Sequence, residues 1–382
     1  MKILLISHDA TRTGAPILLL NLADALSTDK RFSISFMLKR RDGALIADFE
    51  KRGPVYSPEI KVSRLFRIPG IKRVIKPRRF SAATLKKALR GVDVVISNTI
   101  TNGDLLPEIR RFYHGPVFSY IHELGMAALA FTNDQDIANL IAHTDRYLAP
   151  CYAVKQFLCE KLRIAADTID ILPYYIPPVQ APEANRTTPE DLAERPGFVV
   201  GGAGTTDWRK GADLFVAVAR QLSRTENISF RWKGAMAGSQ DLKRLEHDIQ
   251  LAGLTGKVTF LPASPDVDSF FAGIDLFLLT SREDPYPLVM LEAAGHGVPT
   301  VCFDGAGGAP EFVEGDSGST VAYLELNEMA DAITRISRDR KNLRQKGEAA
   351  RTKVRQRHQH IEPIVAAFET AILKLTNART DP

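Results

Sequence analysis

Apolar residues in this 382-residue chain fall into short runs of strand length, separated by helical periodicity and polar turns. Lys2-Ile-Leu-Leu-Ile-Ser7 is the first such run. A loop, Ser7–Pro16, leads to a helical pattern from Ile17 to Leu26 with Pro16 at its start. Arg31–Leu38, Val92–Ser97, Pro116–Ile121, Arg146–Pro150 and Thr168–Pro173 read as further strands, the last two flanking a helix around Ala153–Leu162. From 176 to 196 no period holds, and Pro177, Pro178, Pro182, Pro189 and Pro196 mark a linker. The alternation then restarts. A strand over 197–204 runs into a Gly-rich turn, and the helix Ala212–Leu222 is apolar at 214, 215, 218, 219 and 222. Next come a strand over 229–234, a helix around Ser239–Leu251 and a strand over Val258–Pro262. Ile274–Thr280 and Val298–Phe303 bracket one short helix. From Leu324 the pattern is helical, over 327–338, 340–357 and 361–377. Alternating strands and helices on both sides of a linker predict an α/β chain of two doubly wound, Rossmann-like domains, over 1–175 and 197–358.

The unit Ile274–Phe303 places two carboxylates where a packing element has no need of them. Asp284 lies in the loop ahead of the short helix. Glu292 lies in its second turn, among Leu288, Met290, Leu291 and Ala293. Pro287 fits the first turn, and Gly295 and Gly297 can end the helix. The free N–H groups of a helix start hold an anion. Carboxylates beside it accept hydrogen bonds from sugar or ribose hydroxyls. The plainer reading makes Asp284 a helix cap and Glu292 a solvated helix residue. Arg209-Lys210-Gly211 adds two cations just ahead of the helix at Ala212, a place where a diphosphate can be neutralised.

Composition narrows the setting. Hydrophobic content of 45% is ample for real cores, and 382 residues suit two domains. Cys151, Cys159 and Cys302 have no paired spacing, which argues for a reducing compartment and against a zinc or disulfide scaffold. No run approaches the roughly 20 apolar residues of a spanning helix, and the opening run is too short for a signal peptide. The net charge of +5 is local: residues 61–90 carry eleven Lys or Arg and no Asp or Glu, interleaved with Leu65, Phe66, Ile68, Ile71, Val74 and Ile75. Such a segment suits an anionic membrane surface or an anionic acceptor better than nucleic acid, with a solvated basic loop as the bland reading.

Asp284, seven residues, then Glu292-Ala-Ala-Gly resembles the donor-binding signature of the retaining GT-B glycosyltransferases of glycosyltransferase family four, the glycosyl transferases group one. The first acid of that signature is Glu; here it is Asp284, with Glu283 one place out of register. The resemblance implies two Rossmann-like domains facing a cleft. Residues 1–175, completed by a returning helix over 360–382, would bind the acceptor, and 197–358 would bind the donor. It implies that Lys210 and Arg209 offset charge on the leaving diphosphate, although the family has an Arg at the position of Thr205. Gly204, Tyr286, Pro287, Leu288 and Val289 would line the donor, with sugar and phosphate on the backbone amides at the helix start. Glu292 would hold the ribose and Asp284 the sugar hydroxyls. His122, in the His122-Glu123 pair after a buried strand, would lie near the transferred sugar. Gly14-Ala15 resembles the loop that approaches donor phosphates or acceptor. Phe303–Val313 resembles the Gly-Gly-Pro-Glu segment, with Ala309 extra. Asp134-Gln-Asp136 and Asp266-Val-Asp268 imitate a metal-binding triplet, but both precede helices, where Asp is a cap.

The expected activity is metal-independent, retaining transfer of a hexose from a nucleotide diphosphate sugar to an acceptor hydroxyl, in bacterial-type polysaccharide, lipopolysaccharide or glycolipid assembly. No cofactor is implied, the donor being a co-substrate; there is no nucleophile elbow, zinc cluster or phosphate-loop lysine motif. The acceptor would be a saccharide or lipid-linked, nucleic acid is not expected as a partner, and the setting is cytoplasmic, peripheral on the inner face of a membrane through 61–90. A sugar-nucleotide epimerase on the same scaffold, or a non-catalytic binder of nucleotide sugar or lipid, are the competing readings.

Overall fold

The computed structural model describes residues 1–58, 80–178, 197–225, 227–264 and 266–380. It divides into two units, residues 1–150, 155–175 and 361–382 in one and 151–154 with 176–360 in the other. The expected linker beyond Pro178 and the basic block up to 79 lie outside the described residues.

The first unit carries one parallel sheet. Its strands are β1 (Lys2–Ser7), β2 (Ser33–Leu38), β3 (Val55–Tyr56), β4 (Val94–Asn98), β5 (Val117–Tyr120), β6 (Arg146–Ala149) and β7 (Ile169–Ile171), in the order β3-β2-β1-β4-β5-β6-β7. Continuous apolar runs form its centre because both faces are covered by helices. Ile3, Leu4, Leu5, Ile6, Phe36, Val95, Ile96 and Phe118 are fully buried. The last helix, Ile361–Thr380, belongs to this unit. Phe368 packs against Phe32 and Phe118, with ring centroids 6.1 and 6.3 Å apart, and Lys374 Nζ reaches Asp170 Oδ1 at 2.6 Å.

A second all-parallel sheet organises the other unit. Its strands are β8 (Phe198–Ala203), β9 (Ile228–Ala235), β10 (Val258–Pro262), β11 (Leu276–Leu279), β12 (Thr300–Phe303) and β13 (Gly318–Val321), in the order β10-β9-β8-β11-β12-β13. Phe215, Phe230, Trp232, Leu276, Val301, Phe303 and Ile333 lie in its core. The short helix between β11 and β12 spans Leu288–Gly295, with Pro287 as the residue just ahead of its first turn and Glu292 in its second. The helix expected over 340–357 gives way after Val354 to a wide π turn, Arg355–Gln359. Both acidic triplets sit at helix starts: Asp136 N is capped by Asn133 Oδ1 at 3.0 Å, and Asp266 Oδ1 caps Ser269 N at 3.1 Å. Among the described residues no helix is long and apolar enough to cross a membrane, and no group of three or more His, Cys, Asp or Glu could hold a metal ion.

Candidate functional site

In each sheet the strand order reverses at one place, between β1 and β4 and between β8 and β11. Crossovers leave to opposite sides there, so the carboxyl ends of those strands are left uncovered, the usual place for ligands in doubly wound sheets. The residues singled out in the sequence fall at these two places, one cluster in each unit.

In the second unit the loop after β8 carries Gly204, Thr205, Arg209 and Lys210, and the loop after β11 carries Asp284. Gly211 joins the two loops. It adopts φ +70°, and a Cβ on it would lie 2.0 Å from the Thr280 carbonyl oxygen. Only glycine permits both the left-handed backbone and that approach. Thr280 Oγ1 donates to Gly211 O at 2.8 Å. With the loops joined, Lys210 Nζ reaches Asp284 Oδ2 at 2.5 Å, and Ser281 Oγ donates to the same oxygen at 3.3 Å. Asp284 is buried, and its backbone is tied to a third loop: its N–H donates to Ala306 O at 2.7 Å. Gly204, at φ +140°, gives the room its neighbour needs, since a Cβ there would meet the Lys210 stem at 3.2 Å.

Three residues on the donor side, Arg209, Thr205 and Tyr286, make contacts within the unit. Arg209 was expected at the phosphates, but its Nη1 donates to Glu283 O at 3.0 Å while Arg282 N donates to Arg209 O at 2.8 Å, so it laces the two loops. Thr205 donates its hydroxyl to Asp207, whose other oxygen accepts from Lys210 N at 3.1 Å. Tyr286 was expected to line the donor; it is buried, its hydroxyl 3.1 Å from His358 Nε2 and its phenol pushed upward in pKa chiefly by burial. An interior neighbour satisfies that hydroxyl.

Glu292 differs from Asp284 in having no partner. It is half-buried, yet its carboxylate takes no hydrogen bond or ion pair from any described residue. Burial, and then the charge of Asp268, push it up to about 7. The N–H groups of Leu288 and Val289, at the start of the same helix, have no acceptor among the described residues, whereas Met290 N already bonds Pro287 O at 3.2 Å. Lys210, Asp284, Glu292 and the two free amides together offer one cation, two carboxylates and two donors, a set matched to a ligand bearing phosphate and hydroxyl groups.

In the first unit, His122 stands two residues after β5. Its Nε2 lies 2.6 Å from Asn98 Oδ1 at the end of β4, and its Nδ1 lies 2.9 Å from Tyr174 Oη. Asn98 Nδ2 donates to Ala15 O at 2.9 Å, so Oδ1 is the face it turns to the imidazole. Burial lowers His122 to about 3, which keeps the ring neutral. The acceptor Oδ1 then requires the proton on Nε2, and Nδ1 accepts from Tyr174. Both ring nitrogens are thus used within the unit. The Gly14-Ala15 pair expected as a loop is the first turn of the helix Gly14–Ser27, and Ala15 acts through its carbonyl. Asn98 and Tyr174 escaped the sequence reading. Asn98 follows the apolar run Val92–Ser97 directly, so the carboxyl-end rule would have found it; Tyr174, 52 residues from His122, carries no local signal.

Glu123 is buried beside them, its Oε2 accepting from Ile100 N and His122 N, each at 3.0 Å, and burial raises its carboxyl to about 7. The unfolded chain releases this proton near pH 4.5 and the folded chain near 7, so Glu123 lowers stability as pH rises across that window. His122 acts oppositely, costing stability as pH falls from 6.5 toward 3. Glu123→Gln is therefore expected to remove a loss on the order of 3 kcal/mol between pH 4.5 and pH 7.5. Chemical denaturation of both proteins at the two pH values checks this.

Residues 190–353 match the family model of glycosyl transferases group 1. The exopolysaccharide phosphotransferase SCO2592 of Streptomyces coelicolor is 32% identical over 143 residues, 37% of this chain and 15% of that protein. The lipopolysaccharide core biosynthesis mannosyltransferase LpsB of Rhizobium meliloti is 30% identical over 178 residues, 44% of this chain and 48% of LpsB. The chain thus matches less than half the length of either relative. Among solved structures, that of HepE from Anabaena in complex with UDP-glucose matches 99% of this chain and 100% of its own, with a TM-score of 0.77 at 20% identity. That likeness gives the fold, two parallel-sheet Rossmann-like domains of the GT-B class.

Proposed function

We propose that this chain is a retaining, metal-independent glycosyltransferase that moves a hexose from a nucleotide diphosphate sugar to an acceptor hydroxyl, in polysaccharide, lipopolysaccharide or glycolipid assembly. The observation that carries this reading is the Lys210–Asp284 pair, 2.5 Å long, at the reversal point of the second sheet, with the unpartnered Glu292 on the helix that follows Asp284 in the chain. It lies inside the segment that matches glycosyl transferases group 1. The printed names of LpsB and of the HepE complex, a mannosyltransferase and a UDP-glucose complex, favour the same donor class. The phosphotransferase shares too little of its length for its name to be carried over.

In this reading the Leu288 and Val289 amides and Lys210 hold the diphosphate, Glu292 accepts from ribose hydroxyls, and the second oxygen of Asp284 accepts from the sugar. The bond from the anomeric carbon to the diphosphate breaks as the acceptor oxygen bonds that carbon. The acceptor proton leaves with the diphosphate. Lys210 favours this by offsetting charge that grows on the leaving group. The His122–Asn98–Tyr174 cluster is assigned to ordering the acceptor. Cytoplasmic placement, membrane contact through 61–90 and the absence of a nucleic-acid partner belong to the same proposal.

Product analysis with UDP-, GDP- and dTDP-hexoses against saccharide and lipid-linked acceptors tests the reading. A new glycoside of retained configuration, formed with a chelator present, supports it. Conversion of donor alone to an epimer, or donor binding with no product on any acceptor, contradicts it.

Glu292 sets the pH dependence of donor binding. Its ionised form is the stronger acceptor for ribose hydroxyls, and that form grows as pH rises through about 7. Affinity for a nucleotide diphosphate sugar, whose own charge is constant over this range, is expected to rise on the order of tenfold from pH 5.5 to pH 8, one unit of pKa difference between free and bound Glu292 being worth about 1.4 kcal/mol. Titration of Glu292→Gln should give a flat profile over the same range.

A further inference from the structure

Trp208 is 56% exposed and Tyr323 is 46% exposed, in a unit whose other tryptophan, Trp232, is fully buried. Both aromatic residues are fastened to Arg282. Its guanidinium carbon sits 5.0 Å from the centroid of the Trp208 ring, and its Nη1 donates to Trp208 O at 2.7 Å. Tyr323 Oη donates to Arg282 O at 3.2 Å, and its ring packs against Phe303 with centroids 5.9 Å apart. Arg282 is itself fixed by a two-pronged pair to Asp213, at 2.8 and 2.7 Å. Such forked contacts hold a planar guanidinium in one orientation, so the two exposed rings stand on a stiff support.

The place is as telling as the exposure. Trp208 follows β8, Arg282 follows β11, Phe303 ends β12 and Tyr323 follows β13, so all lie at the carboxyl ends of their strands. Trp208 is two residues from Lys210, and Arg282 two from Asp284. Asp304, next to Phe303 in the chain, is an exposed carboxylate, while both oxygens of Asp213 accept from Arg282. Among the described residues the Trp208 indole N–H makes no hydrogen bond. Rings with an apolar body and a polar tip match a pyranose, which has one apolar C–H face and hydroxyls around its rim.

We propose that Trp208 and Tyr323, on either side of Arg282, form a saccharide subsite for gluco- or manno-configured pyranose rings. It extends the transferase reading by holding sugar units of the acceptor beyond the reacting one, but the binding itself needs no transfer. Saturation-transfer NMR on the full chain, without nucleotide, tests it with cellohexaose and mannohexaose as probes. UDP titrated into the same samples reports the donor site separately. The expected result is transfer to the sugar C–H protons, reduced at least fivefold in Trp208→Ala and in Tyr323→Ala while UDP affinity stays unchanged. No transfer to either hexasaccharide, or equal transfer in the variants, overturns the subsite. A Trp208→Ala protein that loses UDP affinity instead makes the ring a nucleobase platform, which also overturns it. Should the sugars bind and UDP not, the donor reading fails and the subsite stands.

Discussion

Lys210→Ala is expected to lower transfer by roughly 10²–10³-fold, the cost typical of removing one preorganised donor from a developing anion. The same change acts on stability, because Lys210 and Asp284 are both largely buried. Removing one member of a buried ion pair strands the other, at a cost of about 3–5 kcal/mol. Part of that returns here, since Ser281 Oγ stays within 3.3 Å of the carboxylate. The two effects separate in a second variant. Lys210→Ala with Asp284→Asn removes the stranded charge, so its melting temperature should recover toward wild type while transfer stays low. Rates and melting curves of the three proteins check this. Recovery of transfer along with stability would mean that Lys210 serves only to neutralise Asp284.

Gly211→Ala is expected to be strongly destabilising. Two costs combine. The left-handed backbone at φ +70° penalises any L side chain by about 1–2 kcal/mol. The new Cβ would then lie 2.0 Å from Thr280 O, a backbone atom directly after β11, and overpacking of that kind costs about 1–3 kcal/mol. Gly238→Ala is the control, with φ +76° and nothing within 4 Å of the added carbon, so it carries the backbone penalty alone. Thermal unfolding should place Gly211→Ala well below Gly238→Ala. Equal melting temperatures would show that the two loops can part at no cost.

How much of this was legible in the sequence follows from what kind of signal each feature leaves. Strands at the centre of a parallel sheet are buried on both faces, so they appear as uninterrupted apolar runs, and β1, β4, β8, β11 and β12 were read to within two residues at either end. Two of the four edge strands leave too weak a signature. Val55–Tyr56 is only two residues long, and Gly318–Val321 contains a single large apolar side chain, so both went unread. Asp284 and Glu292 could be located because seven intervening residues and a helix start are local features. Their difference could not: Asp284 is satisfied by Lys210, 74 residues away, whereas Glu292 is left without a partner. His122 was found by its place after a strand, but its fixed tautomer depends on Asn98 and Tyr174, which only folding brings to it. Arg209 and Tyr286, which the family pattern places at the donor, also make loop-lacing and packing contacts that no local pattern announces.

The central claim is that a nucleotide diphosphate sugar is held at the reversal point of the second sheet by Lys210, Glu292 and the start of the helix Leu288–Gly295. Isothermal titration of UDP and GDP into the full chain at pH 8, beside Lys210→Ala with Asp284→Asn and Glu292→Gln, tests it most directly. The account predicts one site for at least one of the two nucleotides, weakened tenfold or more in each variant while the melting curves show both variants folded. No binding of either nucleotide, or binding that both variants retain in full, would contradict it.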